Sequence, residues 1–277
     1  MIAVEEPENE LDLQYTLSQD QIEFYSANGY IKLPHVLSPG LLRRYQKEIA
    51  SHVEKLSAQR LPLHQRNTYD KAFLQVGNLW TLSLEIRQFV FGKRLARIAA
   101  ELMGCDGVRM YHDQALYKEA GGGITPWHAD QYYWPVSTDN VITAWIPLQD
   151  TPLEMGPLAF CEKSHRFQTG RELEISDESE LALKQALHRF RQEESPFAMG
   201  EVSFHAGWTF HRAGGNTTNR AREVMTVIYM DEDIRLATPR NKNQVLDKER
   251  WCPGVEEGEV IASPLNPIIY TTTQGPA

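Results

Sequence analysis

Cysteine is scarce in this chain. Cys105, Cys161 and Cys252 stand far apart among 277 residues. An odd, scattered set supplies neither a disulfide framework nor the paired spacing of a zinc finger. It points to a reducing compartment, with the cytoplasm as the expected location. Long apolar runs are missing as well: no stretch approaches the ~20 residues a membrane-spanning helix needs. Residues 1–14 are acidic and lack a basic segment followed by an apolar one, so they do not read as a secretory signal. Positive charge is in deficit. With 28 Lys and Arg against 37 Asp and Glu, the net charge is −9, which argues against nucleic acid as the main partner. No internal repeat stands out, and no feature calls for a membrane or an obligate protein partner. Apolar residues at 42% and charged residues at 23% are ordinary for a globular chain, and exclude a disordered or collagen-like one.

What is present falls into two halves. Residues 1–15 read as a flexible, acidic tail. Ser18 and Gln21 form a capping box before a short helix with Ile22, Phe24 and Tyr25 on its apolar face, and Gly29 stops it. Residues 30–33 alternate as a strand. Ser38-Pro39 opens a second helix, whose Leu41, Leu42, Tyr45, Ile49 and Val53 recur at helical spacing. A third runs over about 93–103 and ends at Gly104. From residue 106 the pattern changes to short runs rich in Val, Ile, Tyr and Trp, at 108–118, 141–148, 157–160, 201–204 and 223–230. Between about 170 and 196 lies a charged insertion with Leu181, Leu183, Ala186, Leu187 and Phe190 at helical spacing. The expectation is a mainly β protein. A helical layer (about 16–105) precedes a sandwich or barrel core (about 106–235), with 16–277 forming a single domain.

Three pieces carry chemistry. His128-Ala-Asp130 sets an imidazole and a carboxylate two residues apart; in an extended segment both point to one face and can meet one metal ion. His211 follows a predicted strand and precedes a Gly-Gly turn. Two imidazoles and a carboxylate on one face leave open positions and suit non-haem Fe(II). His205 is a rival, ranked lower as a packing or supporting residue. Arg222 opens the last strand; facing an interior, it needs an anion, which its planar fork binds in bidentate fashion. On these residues alone a zinc hydrolase or a non-catalytic metal-binding barrel also remains open.

Taken together, Thr125-Pro-Trp-His128-Ala-Asp130-Gln-Tyr-Tyr-Trp-Pro135, Thr143-Ala-Trp145-Ile-Pro-Leu148, Gly156-Pro-Leu158, Ser164-His165, and His211 with Asn216 and Arg222 resemble the phytanoyl-CoA dioxygenase family. The stretch Tyr111-His-Asp-Gln-Ala-Leu-Tyr-Lys118 resembles the strand before its HxD motif. The likeness covers roughly residues 73–229. It implies a double-stranded β-helix of jelly-roll, cupin-like type, with the N-terminal helices packed on one sheet. It also implies a dioxygenase that uses Fe(II), 2-oxoglutarate and O2, hydroxylates an unactivated C–H of a small molecule, and releases succinate and CO2. His128, Asp130 and His211 match the iron ligands. Arg222 matches the residue that pairs with the distal carboxylate of 2-oxoglutarate, Trp145 a wall of that pocket, and Gln114 and Thr125 further polar contacts. Two departures stand out: Cys161-Glu-Lys precedes Ser164-His165 where the family often has Pro-Gly, and Ala213 replaces a small hydroxyl residue two after the distal His. Asp130 itself separates this chain from halogenating relatives, which carry a small residue there. Gln75, Trp80, Tyr132 and Trp134 are the candidate substrate contacts.

Overall fold

The computed structural model describes residues 9–57 and 61–272. Helix α1 (Gln19–Asn28) begins with the expected Ser18–Gln21 capping box and ends at Gly29, whose φ of 82° suits a residue without a Cβ. Then come β1 (Tyr30–Leu33), α2 (Pro39–Leu56, capped by Ser38), α3 (Thr68–Ala72), β2 (Leu74–Gly77), α4 (Leu84–Val90) and α5 (Lys93–Met103). Strands β3 (Gly107–Tyr117), β4 (Thr125–His128), β5 (Val141–Pro147) and β6 (Leu158–Cys161) open the core. The insertion holds α6 (Asp177–Ala186) and β7 (Gln192–Glu194). The chain continues with β8 (Val202–Ala206), β9 (His211–Ala213), β10 (Val224–Asp231), α7 (Lys242–Trp251) and β11 (Ile268–Thr271). Among the described residues no helix is long and apolar enough to cross a membrane.

Among those residues the strands make two antiparallel sheets. The larger runs β1-β8-β5-β10-β3-β11, with β2 paired to the far half of the long β3; the smaller runs β4-β9-β6-β7. Strand periodicity explains the layering. On β5, Ile142, Ala144 and Ile146 face one way, and on β10 so do Met225, Val227 and Tyr229. They pack against Leu42, Tyr45 and Ile49 of α2, Phe89 of α4, and Leu95, Ile98 and Ala99 of α5. The alternate residues Thr143, Trp145 and Thr226 face the smaller sheet, and with His128, Leu158, His211 and Ala213 they line the space between the two sheets. This is the jelly-roll arrangement, with α2, α4 and α5 outside the larger sheet and α6 outside the smaller one.

Several expectations need correction. Residues 1–8 lie outside the described residues, but the tail does not extend to residue 15. Leu11 is buried, its carbonyl accepts from Arg94 N (2.8 Å), and Glu10 accepts from the backbone N–H of Ser38. Phe24, placed on the apolar face of α1, is exposed, and α2 buries Leu42 with Leu41 only partly covered. In the insertion, Leu183 and Leu187 are buried against Trp127 and Phe210, whereas Leu181 points to solvent. Glu180 ties α6 to the core, accepting from Trp127 N (2.9 Å) and pairing with Arg212 (3.1 Å).

Candidate active site

The register of the small sheet builds the centre of the site. His128, the last residue of β4, lies opposite His211, the first of β9, so two residues far apart in sequence become cross-strand neighbours. Ala129 stays extended (φ −122°, ψ 129°), which carries Asp130 to the same side as His128. Asp130 Oδ1 is 3.5 Å from His128 Nε2 and 3.6 Å from His211 Nε2. One ligand atom from each of the three residues lies within 4.8 Å of the others.

The tautomers are set by the neighbours. His128 Nδ1 sits 2.8 Å from the carbonyl of Pro126, and His211 Nδ1 3.0 Å from that of Thr209. A carbonyl only accepts, so each Nδ1 carries a proton, and Nε2 is the nitrogen each ring has left for a metal. The other carboxylate oxygen, Oδ2, accepts from Thr143 Oγ1 (3.0 Å) and from His205 Nε2 (3.2 Å). His205 thus spends its Nε2 proton on Asp130, which makes it a support for the carboxylate. Burial works to raise the Asp130 carboxyl, but the surrounding imidazoles of His211, His128 and His205 hold it well below the usual carboxylate range. Burial, and then His128, hold His211 well below the usual imidazole range. A neutral-His, ionised-Asp set is the protonation a divalent metal requires, so the donor chemistry fits iron.

A cavity of about 180 Å³ adjoins this cluster. At one end stands Arg222, 2% exposed. Its Nη1 donates to the carbonyl of Gly156 (2.6 Å), its Nε has no partner, and its guanidinium lies 5.5 Å from the Trp145 ring. Among the described residues no carboxylate comes within ion-pair distance of it. Burial pushes its pKa down to about 9. Gly156 has φ 70°, and a Cβ there would strike the backbone of Gly214, so a glycine is needed to present that carbonyl.

Lys118 is a second fully buried basic residue near this end, held well below the usual lysine range by burial and then by Arg222. Its Nζ donates to the Gly123 carbonyl and to Thr125 Oγ1 (3.3 Å). With Lys118 donating, the Thr125 hydroxyl accepts and has its own proton free to send elsewhere. Thr125 lines the cavity and lies directly across the ladder from Ala213, the position that lost its hydroxyl. Gln114 lines the cavity from the larger sheet, bonded to Gln75, which in turn accepts from Tyr69 Oη (2.7 Å). Trp145 also lines it.

Of the four substrate candidates, Gln75 and Trp134 line the cavity and Trp80 and Tyr132 do not. Asp113 accepts from the backbone N–H groups of Leu79 and Trp80, and the resulting turn lays Trp80 on Phe91, 5.1 Å between rings, inside the helical layer. Residues 130–133 form a 3-10 turn. Its three-residue period puts Tyr133 on the side of Asp130 and turns Tyr132 away, where its carbonyl accepts from Gln244 Nε2. Sequence reasoning missed Tyr69, His112, Ile175, Asp247, Arg250 and Trp251, which complete the wall. The one local signal is the i, i+4 pair Asp247 and Trp251, on a helical stretch too polar to show a clear apolar period.

The family profile described as phytanoyl-CoA dioxygenase (PhyH) matches residues 25–224, most of the chain. The chain belongs to the phytanoyl-CoA dioxygenase family. It is a 2-oxoglutarate-dependent dioxygenase of that family, iron-dependent like it, as the motifs implied. A methylphosphonate hydroxylase of Gimesia maris is 26% identical over 227 residues, covering 77% of this chain and 81% of that protein. Among solved structures, the epimerase SnoN in complex with Fe3+, α-ketoglutarate and nogalamycin RO is 22% identical. It aligns at a TM-score of 0.76 over 91% of this chain and 98% of its own. EctD from S. alaskensis, solved with 2-oxoglutarate and 5-hydroxyectoine, is 22% identical at 0.68, covering 82% and 83%. At these identities the two structures establish the shared fold.

Proposed function

We propose that this phytanoyl-CoA dioxygenase family member hydroxylates an unactivated C–H of a compact small molecule, consuming 2-oxoglutarate and O2 and releasing succinate and CO2. The observation that carries the reading is Arg222. A buried guanidinium without an anion costs several kcal/mol, and it stands in the same cavity as a His–Asp–His cluster. A dicarboxylate bridging the two satisfies both. A zinc hydrolase would leave Arg222 without a use.

On this reading His128, Asp130 and His211 hold the iron, and bound iron supplies the oxidising chemistry. The chain's own residues bind and orient. Arg222 takes the distal carboxylate of 2-oxoglutarate as a fork and fixes its direction. Thr125, its hydroxyl turned by Lys118, donates to the same carboxylate and supplies the contact missing at Ala213. Trp145 closes that wall, and the Gln114 amide faces the cosubstrate across the cavity. Thr143 and His205 keep Asp130 aimed at the metal. Residues 16–277 act as one catalytic unit, and the unpaired cysteines support a cytoplasmic setting.

The test needs no substrate. Fe(II) and 2-oxoglutarate are added to the protein without O2 and the visible spectrum is recorded. A weak charge-transfer band that requires both additions and vanishes in His128→Ala is the expected result. Absence of the band in folded protein overturns the proposal.

A further inference from the structure

The end of the cavity away from Arg222 has its own chemistry. Its walls are aromatic: Tyr69, Phe73, Tyr133, Trp134 and Trp251. Among them stands one carboxylate, Asp247 of α7. It accepts from Tyr111 Oη (3.3 Å) and from the Trp251 side chain, both neutral donors. No cationic nitrogen of the described residues lies within ion-pair distance of it. Burial pushes its carboxyl up to about 7, against the two hydrogen bonds and the charge of Arg250, which pull it down. Arg250, one turn along α7, also reaches this wall, but it is exposed and stacks on Trp251 (4.3 Å to the ring centre). Glu174, Asp177 and Glu178 line the adjoining depression together with it.

We propose that this end is a substrate site for an amine, with the substrate's ammonium group seated on Asp247 between the aromatic rings. A carboxylate set among ring faces is the environment that stabilises a desolvated ammonium, through the ion pair and through cation–π attraction. Asp247 is the more buried of the two charged side chains of α7 on this wall, and Arg250 lies toward solvent. The acidic depression, which shares Tyr69, Tyr133, Ile175, Asp247 and Arg250 with the cavity, steers cations toward it. Binding a cation also favours the ionised form of Asp247, which burial alone opposes. The inference rests on the hydroxylase reading for the oxidation of the bound amine, but the binding itself is separable from it.

Butylamine, 1-butanol and butyrate serve as matched probes that differ only in the head group. Butylamine and 1-butanol are titrated by calorimetry into the metal-free protein, and all three probes into the anaerobic Fe(II)–2-oxoglutarate complex, where the cosubstrate occupies Arg222, while its charge-transfer band is monitored. Butylamine is expected to bind at least tenfold more tightly than either of the others. Asp247→Asn keeps an acceptor for Tyr111 while removing the charge, and is expected to abolish that preference while leaving 2-oxoglutarate affinity unchanged. Equal binding of the three probes, tighter binding of butyrate, no binding of butylamine, or an Asp247→Asn protein that keeps the amine preference each overturns the proposal. The ranking in the unmutated protein decides even where the variant does not fold. A missing charge-transfer band with an intact ranking would strike the hydroxylase reading and leave this one standing.

Discussion

The two ends of the cavity are made from different kinds of chain. At the cosubstrate end, Thr125, Trp145, Ala213 and Thr226 sit on strands, with Arg222 just ahead of β10. The sheet register sets their spacing. At the other end the wall is assembled from Tyr69 of α3, Ile175 of the insertion, and Asp247 and Trp251 of α7. Backbone ladders hold the first end rigid. Helix packing and side-chain bonds hold the second, such as that from Ile175 N to Tyr133 Oη (3.0 Å). On the proposed reading the first end has one small dicarboxylate to hold and little freedom to vary. An end built from helices and insertions changes its lining without disturbing the ladder.

This contrast breaks most sharply at the metal. His211→Ala is expected to abolish iron binding, read by metal analysis after reconstitution and by loss of the charge-transfer band, while amine binding at the far end survives. Arg222→Met comes next. Removing one partner of a buried charge pair costs about 2–5 kcal/mol, so 2-oxoglutarate affinity should fall roughly 30-fold or more. Arg222→Lys should restore little of it, because an ammonium cannot reproduce the fork. Calorimetric titration with 2-oxoglutarate checks both, and an unchanged Kd would remove Arg222 from the cosubstrate site.

A smaller effect sharpens the account of the fixed end. Thr125→Val should weaken 2-oxoglutarate by about tenfold, the worth of a hydrogen bond to a charged group. Lys118→Met should add little on the Thr125→Val background if it acts through that hydroxyl, which a double-mutant cycle reads directly. Additive losses would show that the two residues act separately. The smallest effect separates neighbours in sequence. Tyr133→Phe removes the acceptor for Ile175 N and should alter probe binding at the amine end, whereas Tyr132→Phe should leave it unchanged.

The same contrast explains what could be read from the chain alone. The pairing of His128 with Asp130 is legible because i and i+2 of an extended segment share a face; Trp145 entered only through the family resemblance, and the structure brings it with His211 and Arg222 to the same cavity. Tyr132 and Trp80 were misplaced because each sits in a turn whose period is not two. The 3-10 turn at 130–133 swaps the roles of Tyr132 and Tyr133, and the backbone bonds of Asp113 redirect Trp80. Asp247 was invisible because α7 carries mostly polar residues and packs by only a few side chains, so hydrophobic periodicity does not announce it. Leu181 failed for the opposite reason: its spacing fitted the helix, but α6 rests on the core through a stripe too narrow to include it.

The pairing of His128 with His211 also bears on how the protein holds together. The chain between them carries β5, β6, the whole insertion and β8. Coordination by both histidines ties the ends of that long segment to a single point, as a cross-link would, and removes conformations from the unfolded ensemble. Metal occupancy is therefore also a matter of folding. The loaded protein should melt higher than the apo protein, by an amount that grows with free metal concentration as binding linkage demands.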